Sequence, residues 1–300
     1  MARRPKPVHQ MTAKQFDDMF PHEEACAQYL VARRWPNGVF CPRCGNTKVF
    51  PVKSMTLKWQ CYACETTKGA GYRFSHIAGT IFENTNKPLK DWFRVVHMML
   101  TSKKGVSALQ IQRALGFGSY ETAHSMCHKI RAALIEPETK LGGIVEVDET
   151  YIGGKDSNRH WNKRIHIRGG SSKMSIIGAV QRKGNVIARV LANVTKDAAE
   201  RFVREAISNR VSLLATDEST VYDDLRDYPR GTVKHRAKQY VVGAVHTNTI
   251  EGFWSIFKRG VVGSFHKVSA KYLPLYVAEF QFRYNNRMNA DIFGTAIEGC

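Results

Sequence analysis

Two sets of residues in this chain have the types and spacing to do chemistry. Cys41, Cys44, Cys61 and Cys64 form C-x2-C-x16-C-x2-C, the spacing at which two thiolate pairs, each on a tight turn, close a tetrahedron around one zinc ion. Four thiolates leave no open position, so the expected Zn2+ is structural. A disulfide framework is the competing reading of paired cysteines, and repeated two-residue gaps in a chain with no export signal argue against it. Cys26, Cys127 and Cys300 fall outside the pattern and read as ordinary thiols. The second set is acidic: Asp148 in VEVDETYIGG, Asp217 in LLATDES and Glu251 in HTNTIEGFW. Converging on one point, these carboxylates suit a hard, oxygen-seeking cation such as Mg2+ or Mn2+.

The elements that must position those acids are legible from periodicity. Between Val245 and Gly263, Ile250, Phe253, Trp254, Phe257 and Val261 recur at about 100° per residue, while Thr247, Glu251, Ser255 and Lys258 share a polar face. Glu251 and Lys258 are seven residues apart, so a carboxylate and an ammonium point the same way from a packed amphipathic helix. Asp148 alternates with Val145 and Val147 in a half-buried strand bounded by glycines, and Asp217 ends a short apolar run 34 residues before Glu251. Alternation leaves Glu146 and Glu149 open as ligands beside Asp148, and Glu218 open beside Asp217. Asn248 lies three residues before Glu251 on the same helix, and of the two a carboxylate is the better metal ligand. His246 reads as a hydrogen-bonded or solvent-facing residue before the helix.

The rest of the chain divides into an N-terminal helical segment (1–36), a ribbon (37–88), a helical region (89–138) and a mixed region (139–300). Thr12 caps the first helical stretch. From Trp92 to Leu134 three helices are expected, with Ser107 and Ser119 as caps and Gly116 at a turn, a helix-turn-helix pattern whose second helix presents His124, Ser125, His128, Lys129 and Arg131 to DNA. After the Asp148 strand comes a basic excursion carrying Lys155, Arg159, Lys163, Arg164 and Arg168, read as a DNA-gripping loop. A hairpin about Lys183-Gly184-Asn185, a helix, the Asp217 strand and further helix and strand complete the order.

The balance of 45 Lys plus Arg against 26 Asp plus Glu leaves a formal charge of +19 and a pI near 9.8. A polyanionic partner is expected, and double-stranded DNA is favoured over a membrane because the basic residues are spread along the chain and interleaved with aromatics. No apolar run approaches the roughly 20 residues of a membrane span, and no secretory signal follows the basic start. A bacterial cytoplasm is the expected setting, with nucleoid association when DNA is bound.

VEVDETYIGGK, ATDES, HTNTIEGFWSIFKRG, GSFHKVSAKYL and EFQFRYNNR together resemble the DDE-type transposases of bacterial insertion sequences, in the group with an N-terminal zinc ribbon. The resemblance covers most of the chain. It implies an α+β multidomain protein with a zinc ribbon, a helix-turn-helix and a ribonuclease-H-like α/β catalytic domain. In that fold the first acid lies on the first strand, the second at the end of the fourth and the third on a later helix, where Asp148, Asp217 and Glu251 fall. It further implies two catalytic Mg2+ or Mn2+ ions roughly 3.5–4 Å apart, with Lys258 holding a phosphate nearby. Water would free a 3′-hydroxyl at a transposon end, that hydroxyl would attack target DNA, and a homo-oligomer would pair two ends. Arg283, Asn285 and Arg287 match the family's closing motif, after which similar chains usually run on a little further than Cys300. Two other readings share many of these features. A non-catalytic, domesticated or decayed DNA-binding protein would keep the zinc site and charge, and the intact acids argue against it; a nuclease of the same fold without strand transfer would keep the metal site.

Overall fold

The computed structural model describes residues 11–64, 69–137, 139–153, 173–233 and 246–300. They form two compact units, one comprising the chain up to Ser102 with Val106–Leu134 and Arg287–Cys300, the other Lys103–Gly105 with Ile135–Asn286. The first unit begins with α1 (Ala13–Met19), closed by a reciprocal capping box between Thr12 and Gln15, and α2 (Glu23–Arg34). Acids in the first turn of α2 and Arg33 and Arg34 in its last turn oppose the helix dipole at both ends. Strands β1 (Phe50–Pro51), β2 (Lys58–Cys61) and β3 (Tyr72–Ser75) form a small antiparallel sheet in that order. Helix α3 (Leu89–Thr101) buries Trp92, Phe93, Val96, Met99 and Leu100, as its periodicity predicts. Pro88 at its N-cap has no side-chain donor or acceptor to offer, and the first-turn N–H groups of Leu89 and Lys90 donate instead to the Glu23 carboxylate, at 2.6 and 3.0 Å. Helices α4 (Ala108–Leu115) and α5 (Tyr120–Ala133) are capped by Ser107 and Ser119, and Gly116 at φ 67° makes the left-handed turn that ends α4.

The second unit is a five-stranded sheet covered on both faces. Its strands are β4 (Ile144–Ile152), β5 (Met174–Gln181), β6 (Val186–Leu191), β7 (Leu213–Asp217) and β8 (Arg230–Val233), in the spatial order β6-β5-β4-β7-β8. The β4-β5-β6 half is antiparallel, and β7 and β8 run parallel to β4. Helix α6 (Lys196–Ala206) packs Ala199, Phe202, Val203 and Ala206 against Val145, Val147, Ile177 and Leu214 on one face. On the other, α7 (Asn248–Gly260) and α8 (Leu273–Asn285) pack Ile250, Phe253, Trp254, Phe257 and Phe280 against Ile152, Ile176, Val180 and Val186. The element order is the one expected from the sequence. A π-helical turn, Val261–Phe265, extends α7, and no helix among the described residues is long and apolar enough to cross a membrane.

The chain's end departs from the expected division at residue 139. Residues 287–300, with α9 (Ile292–Glu298), belong to the first unit, because Phe293 completes an aromatic cluster with Phe16, Phe20, Tyr29 and Phe93 at centroid distances of 5.6–6.1 Å. A period-3.6 stripe shows that this helix is buried, but not against what.

Gly178 on β5 sets how near α7 comes to the sheet. It pairs with Asp148, and a Cβ placed there would lie 2.6 Å from Trp254 Cζ2 and 2.9 Å from Cη2. Gly178→Ala should therefore lower unfolding free energy by ~1–3 kcal/mol through overpacking. Gly252→Ala, in the exposed interior of α7 with nothing within 4 Å of the added Cβ, should raise it by roughly 0.5–1 kcal/mol. Denaturant unfolding of the two variants should give opposite signs.

Candidate functional site

The ribbon cysteines come together as their spacing predicts. The Sγ atoms of Cys41 and Cys64 are 3.8 Å apart, those of Cys44 and Cys61 3.7 Å, and all four lie within 4.8 Å of one another. A tetrahedral ion with bonds of about 2.3 Å places its sulfurs about 3.8 Å apart, whereas a disulfide needs about 2.05 Å. The spacing is that of ligands. Cys44 is pulled down to about 7, first by the Asn46 backbone N–H, while its contact with Cys44 pushes Cys64 up to about 12. Thiols this close compete for protons, and a shared Zn2+ removes the competition. Cys41, Cys61 and Cys64 are themselves part of the ribbon's small core with Trp35, Phe74 and Ala78.

The acids sit on two interior strands of the five-stranded sheet and on the helix that covers one of its faces. The parallel register pairs Val145 with Leu214 and Glu146 with Ala215, and its continuation sets Asp148 beside Asp217, the last residue of β7. Alternation then sorts the candidates. Val145, Val147 and Leu214 face α6, so Glu146, Asp148 and Asp217 face the side covered by α7, which carries Glu251 in its first turn. Glu149 faces the other way, where Tyr222 Oη donates to its carboxylate at 2.6 Å. Glu146 faces α7 but is fully buried and takes four hydrogen bonds, from Arg182, Thr249 and Ile250. Glu146 thus has both oxygens engaged, and Glu149 has one.

Burial, then the charges of Glu149, Asp217 and Glu251, hold the Asp148 carboxyl up at about 7. Burial and Asp217 also raise Glu149, and burial with Glu149 carries the Tyr222 hydroxyl well above its ordinary value. Asp217 keeps its place through Oδ1, which accepts from Ser219 N at 3.0 Å. Arg230 braces the turn behind it, donating to Thr216 Oγ1 at 3.0 Å and to the Tyr222 carbonyl at 2.7 Å. Among the described residues, only the cysteines bring three or more metal-capable atoms within 4.8 Å of one another. The three carboxylates are therefore spread more widely.

Glu251 and Lys258 are both exposed on α7, and Lys258 opens onto a cleft of about 580 Å³ lined also by Tyr151, Met174, Val262, His266 and Lys267. Asn248, the first residue of α7, is exposed one turn before Glu251. Of the residues expected to meet DNA on α5, Ser125 and Lys129 are exposed, and the Lys129 ammonium lies 5.9 Å from the Trp92 ring centroid. His124 and His128 are half-buried with ring centroids 4.1 Å apart, and His128 Nδ1 lies 2.9 Å from the His124 carbonyl. Arg131 is 2% exposed, so it belongs to the core and not to a DNA-facing set. Helical phase places it there, one turn after Cys127 and next to Ile130. Lys155, Arg159, Lys163, Arg164 and Arg168 lie outside the described residues.

Sequence reading missed Arg182, Tyr222 and Arg230. No motif marks them, because each acts on a partner 14 to 73 residues away or on a backbone carbonyl.

Two outcomes follow. Stripping zinc with a strong chelator, or substituting Cys44→Ser, should unfold the ribbon and change the emission of Trp35 and Trp59, whose rings pack at 5.3 Å. The second concerns pH. The folded value of Asp148 lies above the free value of 3.8, so the native state holds an extra proton between about pH 4 and 7 and stability falls as pH rises through that window. Without divalent cation, Asp148→Asn should match the parent protein near pH 4 and exceed it at pH 8 by up to about 4 kcal/mol, read from unfolding curves at the two pH values.

Residues 140–285 match the ISXO2-like transposase domain and residues 21–67 the transposase zinc-ribbon domain, together more than half of the chain. An uncharacterized protein in transposable element ISH50 of Halobacterium salinarum is 29% identical over 284 residues, covering 88% of this chain and 91% of that protein. A chain in the cryoEM structure of the simian T-cell lymphotropic virus intasome, in complex with PP2A regulatory subunit B56 gamma, matches 63% of this chain and 65% of its own length. Its identity is 16% and its TM-score 0.30, too low to carry an argument. The two matched domains, in this order, make the chain a member of the insertion-sequence DDE-type transposases that carry an N-terminal zinc ribbon.

Proposed function

We propose that this protein cuts the ends of its insertion sequence and joins the freed 3′-hydroxyl to target DNA, with Asp148, Asp217 and Glu251 holding Mg2+ or Mn2+. The observation that carries the reading is the acid cluster itself. Two neighbouring parallel strands inside the sheet and the first turn of a helix carry the three carboxylates on one face, close enough that, after burial, the charges of Asp217 and Glu251 help raise Asp148. Like charges gathered beside a buried carboxyl whose proton affinity is raised support a divalent-cation role for the cluster. Bound there, the cation supplies Lewis-acid stabilisation to the phosphoryl oxygens and promotes ionisation of the attacking hydroxyl.

The chain's own groups do the rest. Asp148 loses its proton as the site fills, since a carboxylate and not a carboxylic acid is the ligand. Lys258 and Lys267, on the cleft beside α7, hold backbone phosphates of the bound strand. Water opens the phosphodiester at the element's end, releasing a 3′-hydroxyl; that hydroxyl then attacks a phosphodiester of the target, and one bond forms for each that breaks. Ser125 and Lys129, on the exposed face of α5, contact duplex DNA. The ribonuclease-H-like assignment of the second unit rests on its strand order and on the acids' places in it.

The test takes inverted repeats flanking the gene as labelled end duplexes and adds Mg2+ or Mn2+ with a supercoiled target. Joined product should depend on metal and vanish with Asp148→Asn, Asp217→Asn or Glu251→Gln, while end affinity stays within about twofold. Cleavage without joining would make the protein a nuclease, and an active Asp217→Asn protein would refute the acid assignment. Lys258→Ala should weaken end binding and reduce the salt slope by about 1.

A further inference from the structure

We infer that Glu146 is a positioning residue that holds Glu251 in register with Asp148 and so sets the affinity of the acid cluster for divalent metal. The inference rests on the proposed metal role of those acids. The first-turn N–H groups of a helix need an acceptor, ordinarily the N-cap side chain. In α7 that side chain is otherwise engaged, because Thr247 Oγ1 donates to Glu251 Oε1 at 2.8 Å and caps nothing. The acceptor comes instead from β4. Glu146 Oε2 takes Thr249 N at 2.7 Å and Ile250 N at 3.1 Å, while Oε1 takes Thr249 Oγ1 at 2.8 Å and Arg182 Nε at 2.7 Å. Arg182 Nη2 reaches on to the His246 carbonyl at 3.0 Å, securing the chain just before the helix, and His246 Nδ1 lies 3.1 Å from Oε1 but off hydrogen-bonding alignment.

The connectivity is what gives this clamp its consequence. Glu146 is two residues before Asp148 on the same face of β4, and the N–H groups it holds immediately precede Glu251. One carboxylate thus links the strand of one proposed ligand to the helix of another. Both its oxygens are occupied by donors and its exposure is 0%, so it shapes the cluster without joining it. Groups that orient metal ligands in this way typically change metal affinity by about 10–100-fold.

The experiment measures Mn2+ binding to the full zinc-loaded chain by calorimetry, alongside joining rate as a function of Mn2+. Glu146→Gln cannot satisfy both sets of donors, since its amide presents N–H groups to one of them. It should bind Mn2+ about 10–100-fold more weakly, with joining restored at saturating Mn2+ and metal-free end affinity unchanged. Thr249→Val, which removes only the side-chain hydrogen bond, should shift Mn2+ half-saturation the same way by less and keeps the test open should Glu146→Gln fold poorly. Asp217→Asn should not be restored by any Mn2+ concentration. Mn2+ affinities of both clamp variants within twofold of the parent would overturn the inference and leave the acid assignment standing. No Asp217-dependent Mn2+ binding in the parent protein would overturn both.

Discussion

A charged side chain with no access to water anchors α7 to its sheet. Burying an ionised carboxylate costs several kcal/mol unless its oxygens are fully engaged, and Glu146 meets that condition only through the first turn of α7 and Arg182. Each side depends on the other: without the helix the charge is stranded, and without the charge two backbone N–H groups lose their acceptor. Trp254 resting on Gly178 provides the apolar half of the same docking. The first unit repeats the device, with Glu23 of α2 capping α3 behind Pro88. In both places a helix lacking its own side-chain cap borrows a carboxylate from the element it packs against.

The outer edge of the sheet follows a related logic. β6 is an edge strand, and its outward N–H groups at Val186 and Ala188 donate to Asn285 Oδ1 and Gln281 Oε1 of α8, at 2.8 and 2.9 Å. Positions four apart on a helix rise about 6 Å, and positions two apart on a strand about 6.8 Å. The two ladders therefore match over one step. Asn285 and Asn286 also hold Glu136 at 2.7 and 2.8 Å. The closing stretch FQFRYNNR is thus largely architectural, covering an edge that would otherwise recruit another strand.

Charge is distributed unevenly in this protein. A net +19 favours polyanions, yet β4, β7 and α7 bring acids together on one face of the sheet, where burial first and then the neighbouring charges hold Asp148 near 7. On the proposed reading, cations recruited there would let phosphate approach carboxylate. Lys258, two turns along the helix from Glu251, opens onto the adjoining cleft.

Several features could be read from residue order alone because they are local. The zinc ligands, the caps at Thr12, Ser107 and Ser119, the left-handed Gly116 and the apolar stripe of α7 each depend on neighbours within a turn or two. Strand alternation and helical phase likewise put Asp148, Asp217 and Glu251 on the elements that carry them. What tertiary structure alone decided is pairing across distance. Alternation offered Glu146 and Glu149 equally, and only the faces covered by α7 and α6 turned one into a helix cap and the other into the partner of Tyr222. Arg131 looked like a DNA contact until helix packing enclosed it, and the last helix joined the first unit because Phe293 found its aromatic partners there. Sequence determines which groups lie on one face of an element, since backbone geometry sets that period; which face meets which is settled by burial and hydrogen bonding between segments far apart in the chain.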